Sequence, residues 1–239
     1  MAQNIITIDG PGGSGKSTIT RLVAARLGLG YLDTGAMYRA ATLHCMEAGV
    51  KLDDPAAIAV ALASLTLDVE LVPDGPVKVR IGGRDVTALI RTPEVTRNIR
   101  FVADHPAVRA RMIEIQRRIA RAGNLVTEGR DQGTDVFPHA GLKVYLVASP
   151  MVRARRRQAE LEARGVKTTF EEVMHDVQER DKADMNRPVG ALRKASDAVE
   201  IDTSDMSPAE VAEKIVTLAR GRLALATRRI DKSRLRLEP

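Results

Sequence analysis

The 239-residue sequence has no tryptophan, three phenylalanines and three tyrosines. Core packing therefore falls to Val, Ile, Leu and Ala. No rings interleave with the basic residues as a stacking platform for single-stranded nucleic acid would require, and nucleic acid is disfavoured as a partner. A single cysteine, Cys45, excludes an internal disulfide and a cysteine metal cluster; it reads as a small buried apolar residue. No apolar run approaches the ~20 residues of a membrane-spanning helix, and Met1-Ala2-Gln3-Asn4 leads straight into a strand pattern without a leader. A cytoplasmic protein with no membrane contact, working as a monomer, is expected. No internal repeat or low-complexity segment interrupts the chain.

What is present supports one large domain, or a domain with an inserted lobe: 44% of residues are apolar, enough for a sizeable core. The net charge of +6 favours anionic partners. Part of that excess lies in residues 220–236, which read as a solvated tail rather than a nucleic-acid arm.

One stretch organises the rest. Gly10-Pro11-Gly12-Gly13-Ser14-Gly15-Lys16-Ser17-Thr18 fits the P-loop pattern G-x-x-x-x-G-K-[ST] without a mismatch. An apolar run, Ile5-Ile6-Thr7-Ile8, precedes it, and Ile19, Leu22, Val23 and Leu27 follow at helical spacing, giving strand, glycine loop and helix. The glycines permit φ > 0 and bring several N–H groups to one anion, and the helix start adds its positive end. In such a loop Lys16 reaches the β- and γ-phosphates and the Ser17 hydroxyl ligates Mg²⁺, so ATP with magnesium is the implied cofactor pair.

Along the chain, a short apolar run at 29–32 ends in Asp33-Thr34-Gly35 and leads into a helix at 36–47, and Asp53-Asp54-Pro55 starts another helix. Leu67, Val69 and Leu71, then Val77, Val79 and Ile81, alternate with charges around the turn 73–76, predicting an antiparallel hairpin with acids facing bases, and 84–87 a third strand. A helix begins near Pro106 with Val108, Met112, Ile115 and Ile119 as its apolar stripe. Strands follow at 125–127 and 142–148, then helices opening at Ser149-Pro150 and Thr169, a last strand at 198–201 and a helix opened by the capping box Ser207 to Glu210. Strands alternating with helices predict a mostly parallel five-stranded α/β sheet covered on both faces, with the hairpin lobe as an insert. Ligands of such sheets gather at the strands' carboxyl ends, which here read Asp9-Gly10, Asp33-Thr34-Gly35, Glu128-Gly129-Arg130-Asp131, Ser149 and Asp202-Thr203.

A P-loop alone leaves the reaction open. No N-K-x-D base-reading motif of a GTPase is present, and the strand at 142–148 ends in Ala148-Ser149 rather than the acid of a motor or transporter ATPase. Arginine is abundant where the rim is expected: Arg39, Arg109, Arg130, Arg153, Arg155, Arg156, Arg157, Arg180 and Arg187. Arginine matches phosphate geometry and stays charged, so the second substrate is expected to be anionic too. A phosphate monoester oxygen is already nucleophilic and needs no strong base, leaving catalysis to alignment and charge neutralisation.

Gly10 to Thr18, Asp33-Thr34-Gly35-Ala36-Met37-Tyr38-Arg39, Ile90-Arg91-Thr92-Pro93-Glu94-Val95, Glu128-Gly129-Arg130-Asp131 with Gly133-Thr134 and Phe137-Pro138, and Arg180-Asp181 through Asp184, Asn186 and Arg187 resemble, in order over residues 4–225, the bacterial cytidylate kinase family. That resemblance implies a P-loop kinase fold and transfer of the γ-phosphoryl group of ATP to CMP or dCMP. It implies a core at 1–54 and 106–225, a β-rich acceptor-binding insert at 55–105, an arginine-bearing lid at 149–168, and a basic tail at 226–239 outside the likeness. It places Thr34, Arg39, Arg130 and Arg180 around the CMP site, the arginines chiefly at its phosphate. Asp184 and Arg187 come near the ribose, Arg109 with Asp131 at the base, and Arg153 with Arg156 or Arg157 over the transferring phosphates. The chain departs from the family pattern at Arg100, where a serine often stands, and at Gln132 and Asp135, where aliphatic residues stand. The readings held against this one are a P-loop kinase for UMP or another small acceptor, and a nucleotide-dependent nucleic-acid binder.

Overall fold

The structure is a computed structural model describing residues 4–71, 77–121, 123–163 and 165–223. The turn expected at 73–76 and the tail at 226–239 lie outside the described residues. In chain order the elements are β1 (Ile5–Asp9), α1 (Lys16–Leu27), β2 (Gly30–Asp33), α2 (Thr34–Glu47), α3 (Pro55–Ala63), β3 (Leu67–Glu70), β4 (Lys78–Ile81) and β5 (Arg84–Asp85). They continue with α4 (Pro93–Ala103), α5 (Pro106–Ala120), β6 (Leu125–Gly129), β7 (Leu142–Val147), α6 (Pro150–Glu162), α7 (Phe170–Asn186), β8 (Val199–Asp202) and α8 (Pro208–Arg222).

Five strands form one parallel sheet in the order β2-β6-β1-β7-β8. Ile6, Ile8, Leu125, Val126, Leu142, Val144 and Leu146 are all buried, as expected of near-continuous apolar strands covered on both faces. Register sets the rim: Asp9 lies beside Gly129 and Tyr145, Asp33 beside Glu128, and Val147 beside Asp202. The carboxyl ends thus share one edge, where the sequence alone puts the polar residues. The strand order is what the sequence conceals: β1 lies between β6 and β7, which follow it by more than a hundred residues.

The hairpin lobe is a three-stranded antiparallel sheet, β3-β4-β5. Arg80 lies opposite Asp68, 3.5 Å away, and also reaches Glu70 at 3.4 Å, so the expected facing of acids and bases is present. The third strand ends at Asp85 instead of residue 87. Thr87 leaves the ladder because its amide donates to Asp85 Oδ1 at 2.9 Å and its hydroxyl accepts from the Val79 amide at 3.0 Å. One helix is additional to the expected set. In α4, Thr92 caps and Pro93 opens the first turn, while Val95 and Val102 are buried. This helix packs on α2 and forms one wall of the cleft described next.

Candidate active site

Strand β1 delivers the chain to the rim at Asp9, and the loop turns back through glycines that no other residue could replace without strain. A Cβ at Gly10 (φ +152°) would lie 2.2 Å from the Leu146 carbonyl oxygen, and one at Gly13 (φ +78°) would lie 3.1 Å from Arg153 Cβ. Helix α1 then starts at Lys16, so its unpaired amides face the loop's concavity. The Lys16 ammonium is buried and donates to the Pro11 carbonyl at 2.7 Å. Burial, and next the neighbouring Arg130, push it well below the ordinary lysine value. A phosphate brought into contact with Lys16 would relieve both penalties by supplying the missing counter-charge.

Two acids serve this loop. The Asp9 carboxylate accepts the Gln132 amide at 2.9 Å and the Gly133 amide at 2.7 Å, tying β1 to the turn that carries Arg130 and Asp131. Burial raises it to about 6. Glu128, at the end of β6, accepts the Tyr31 hydroxyl at 2.7 Å and the Ser17 hydroxyl. Burial, with the Asp33 charge adding to it, holds its carboxyl above the usual range. An acid thus ends β6, the strand beside β1, on the side away from β7. Among the described residues no group of three or more His, Cys, Asp or Glu could hold a metal. The Ser17 hydroxyl beside Glu128 is a hard oxygen donor set that fits a magnesium ion, which is carried mostly by nucleotide phosphates and waters and takes one or two protein oxygens.

Around the loop stand the cations. A Cβ on Gly12 would lie 3.6 Å from Arg180 Cδ and 3.8 Å from Arg130 Nη2, so both side chains lie close against the P-loop. Asp184 joins them to the far wall: its carboxylate accepts Arg130 Nε at 2.6 Å and Arg187 Nη2 at 2.8 Å, and Arg187 Nε also donates to Asp104 at 2.5 Å. Burial alone would raise the Asp184 carboxyl, but Arg130 and Arg187 outweigh it and hold it below the usual carboxylate range. Arg39 donates to Thr96 at 2.7 Å, and the Thr34 hydroxyl donates to the Glu128 carbonyl at 2.6 Å.

At the other end Arg109 and Asp131 form an ion pair in which each side chain is only 3% exposed. Arg109 also donates to the Ala103 carbonyl at 3.2 Å and lies 5.3 Å from the centroid of the Tyr38 ring. The Gly190 backbone packs against its guanidinium so closely that any side chain there would overlap it. Burial raises the Asp131 carboxyl even against Arg109.

These groups line one cleft of about 870 Å³. Of the expected residues, Gly12, Gly13, Gly15, Lys16, Ser17, Thr18, Thr34, Arg39, Arg109, Arg130, Asp131, Arg180, Asp184 and Arg187 face it, whereas Gly10, Pro11 and Ser14 form the loop's underside. The three arginines expected over the phosphates divide. Arg157 faces the cleft, 41% exposed, and pairs with Glu160. The structure places the guanidinium groups of Arg153 and Arg156 elsewhere. Arg153 bonds Asp181, and Arg156 donates to the Thr203 hydroxyl at 3.1 Å and carbonyl at 2.5 Å. The sequence puts Asp9 and Glu128 on the rim, and Tyr38 and Asp181 inside the family-like motifs, without a role for any of them; Tyr31 and Asp104 are not singled out by it. For Glu128 and Asp9 the available signal was an acid ending a strand; which strands border the P-loop was not readable. Arg100 lines the cleft, with its guanidinium 4.7 Å from the Phe101 ring centroid.

The chain matches a protein-family model described as Cytidylate kinase over residues 6–221. It is 47% identical over 216 residues to a cytidylate kinase of Rhodopirellula baltica, with 90% of this chain and 92% of that protein covered. A bifunctional pantoate ligase/cytidylate kinase of Prochlorococcus marinus (strain MIT 9303) is 49% identical over 219 residues, covering 91% of this chain and 45% of that protein. The chain thus spans somewhat under half the length of the bifunctional relatives it matches. Among solved structures, an uncharacterized protein from Eubacterium ventriosum is alike in fold, with a TM-score of 0.52 at 11% identity, covering 92% of this chain and all of that one.

Proposed function

The chain belongs to the cytidylate kinase family, and from that premise we propose that it transfers the γ-phosphoryl group of ATP to CMP or dCMP, giving CDP or dCDP and ADP. One observation carries the reading: the P-loop and the buried Arg109–Asp131 pair line the same cleft, as do Arg130 and Arg180, which lie close to Gly12. A phosphate-binding end and a base-reading end are what a transfer between two nucleotides needs.

The roles follow from chemistry. A carboxylate accepts the N4 donor of cytosine, and a guanidinium donates to its N3/O2 edge; uracil reverses that pattern. Asp131 and Arg109 supply this pair. Asp184 and Arg187 take the ribose, and Thr34, Arg39, Arg130 and Arg180 the acceptor phosphate. The loop from Gly10 to Thr18 and the start of α1 hold the ATP phosphates, with Lys16 reaching the transferring group and Arg157 closing over it. Ser17 would hold magnesium, with Glu128 fixing the serine's orientation. Bound there, the ion neutralises charge on the β- and γ-phosphates. No residue needs to act as a strong base, because the acceptor oxygen is already anionic. Alignment, charge cancellation and exclusion of water do the work.

The same proposal includes a cytoplasmic monomer; among the described residues Cys45 is free and buried and no helix is long and apolar enough to cross a membrane. It also includes the division into core, insert at 55–105 and lid at 149–168. Its test is ADP release with CMP, dCMP, UMP, AMP and GMP as acceptors, with and without RNA. Turnover with CMP or dCMP well above the others is expected. A preference for UMP would overturn the base reading, and ADP release that depends on RNA would overturn the phosphotransfer reading.

A further inference from the structure

Arg153 lies in the first turn of α6, the helix whose arginines are expected over the phosphates, yet its side chain is 4% exposed and all its nitrogens are engaged within the protein. Its Nε donates to the Ala148 carbonyl at 3.0 Å, where β7 leaves the sheet. Its Nη1 donates to the Gly12 carbonyl of the P-loop at 3.2 Å. Its two terminal nitrogens grip the Asp181 carboxylate of α7 at 2.9 and 2.7 Å. Gly13 leaves room for this arrangement, since a side chain there would press on the Arg153 main chain. One guanidinium therefore joins the sheet edge, the phosphate loop and α7.

What hangs from that joint matters. Asp181 directly follows Arg180, whose side chain also lies close to Gly12. Three residues further along α7 is Asp184, which holds Arg130 and Arg187. We propose that Arg153 is a positioning residue: its bidentate pairing with Asp181 fixes how α7 sits over the P-loop, and so fixes Arg180 and the Asp184 arginine pair between donor and acceptor. A fork of this kind transmits geometry as a lysine could not, because two parallel bonds fix angle as well as distance. Arg153 is nearly dry, so deleting Asp181 leaves its charge uncompensated. The inference rests on the phosphotransfer reading for its catalytic consequence. The mechanical joint itself can be observed without turnover.

The competing role is a phosphate ligand that merely rests on Asp181 until a nucleotide arrives, and the two roles differ in what Asp181 does. The experiment compares Asp181→Asn, Arg153→Met, the double variant and Asp181→Glu. It measures kcat and KM for ATP and for CMP, together with amide hydrogen exchange over residues 170–186 in the nucleotide-free protein. A positioning role gives a kcat loss of about 100-fold in Asp181→Asn, the scale of an ångström-sized misplacement. The loss in Arg153→Met is similar, KM for ATP stays within about threefold, and the double variant is no worse than either single, because the two residues act as one unit. Exchange in α7 quickens in both single variants, and Asp181→Glu retains most of the activity. Unchanged kcat or a lowered KM for ATP in Asp181→Asn would overturn the proposal, as would losses that add in the double variant or unaltered exchange in α7. Wild-type protein inactive with CMP would instead sink the phosphotransfer reading and leave the exchange result standing. Should Arg153→Met fail to fold, Asp181→Asn alone still decides, since Asp181 is 16% exposed at its side chain and asparagine retains its shape.

Discussion

At the scale of single residues, the cleft is governed by charges that burial makes expensive and neighbours make tolerable. Asp131 and Arg109 illustrate both sides. Asp131→Asn is expected to raise KM for CMP at least ~10-fold, the worth of one good polar contact to a base edge, while acceptor-independent ATP hydrolysis changes little. It should also lower stability by about 3–5 kcal/mol, because Arg109 is left buried without a counter-ion. Steady-state kinetics with urea unfolding checks both, and equal loss of CMP transfer and ATP hydrolysis would remove Asp131 from the base site. Asp9 gives a pH signature. Its folded value of about 6 lies above the ordinary 3.8, so the folded state holds the proton more tightly. The stability linked to that proton is complete below about pH 4, is lost as pH rises to about 6, and changes little beyond. Asp9→Asn cannot ionise, so its stability relative to wild type should rise by on the order of 3 kcal/mol between pH 4 and 7. Urea midpoints at four pH values measure this, and a difference flat with pH contradicts it.

Legibility at this scale followed chemistry more than position. The P-loop residues and the cleft-facing arginines could be named from the chain because glycine, lysine and arginine have few substitutes at a phosphate. Glu128 and Asp9 could be placed on the rim but given no role, because an acid at a strand end acquires meaning only from its neighbouring strands. Arg153 and Arg156 show a different limit: sequence marks an arginine near a helix start, but whether the guanidinium turns to the cleft or back into the protein depends on what waits behind it, here Asp181 and Thr203.

At the scale of elements, the loop and the first turn of α6 form one unit. Gly13→Ala forces a side chain to φ +78° and to 3.1 Å from Arg153 Cβ. A penalty of about 1–2 kcal/mol for the left-handed backbone alone is expected, with the contact adding to it, and KM for ATP should rise several-fold. Thermal melts and ATP titration test this; unaltered ATP affinity would mean the loop and α6 move independently. Most elements were readable because they carry local signals: alternation in β3 and β4, caps at Asp54, Thr169 and Ser207, and prolines at helix starts. Helix α4 had such signals in Thr92-Pro93, but they lay inside a stretch read for its motif. The end of β5 had none, since Thr87's bonds to Asp85 and Val79 exist only once the lobe is folded.

At the scale of the whole molecule, the sheet's topology gathers residues scattered along the chain around one cleft. Its rim supplies the fixed parts, the P-loop with Glu128 and Asp131, while α7 and α4 supply the walls that carry Arg180, Asp184 and Arg100. If the proposed function holds, donor and acceptor phosphates meet there. Calorimetric titration with a bisubstrate ligand, adenosine and cytidine joined 5′ to 5′ through five phosphates, tests this. One ligand per chain is expected, bound at least ~100-fold more tightly than ATP or CMP alone, because the second half binds as part of the same molecule, and displaced by either nucleotide. Binding no tighter than ATP, and displaced by ATP but not by CMP, would contradict it.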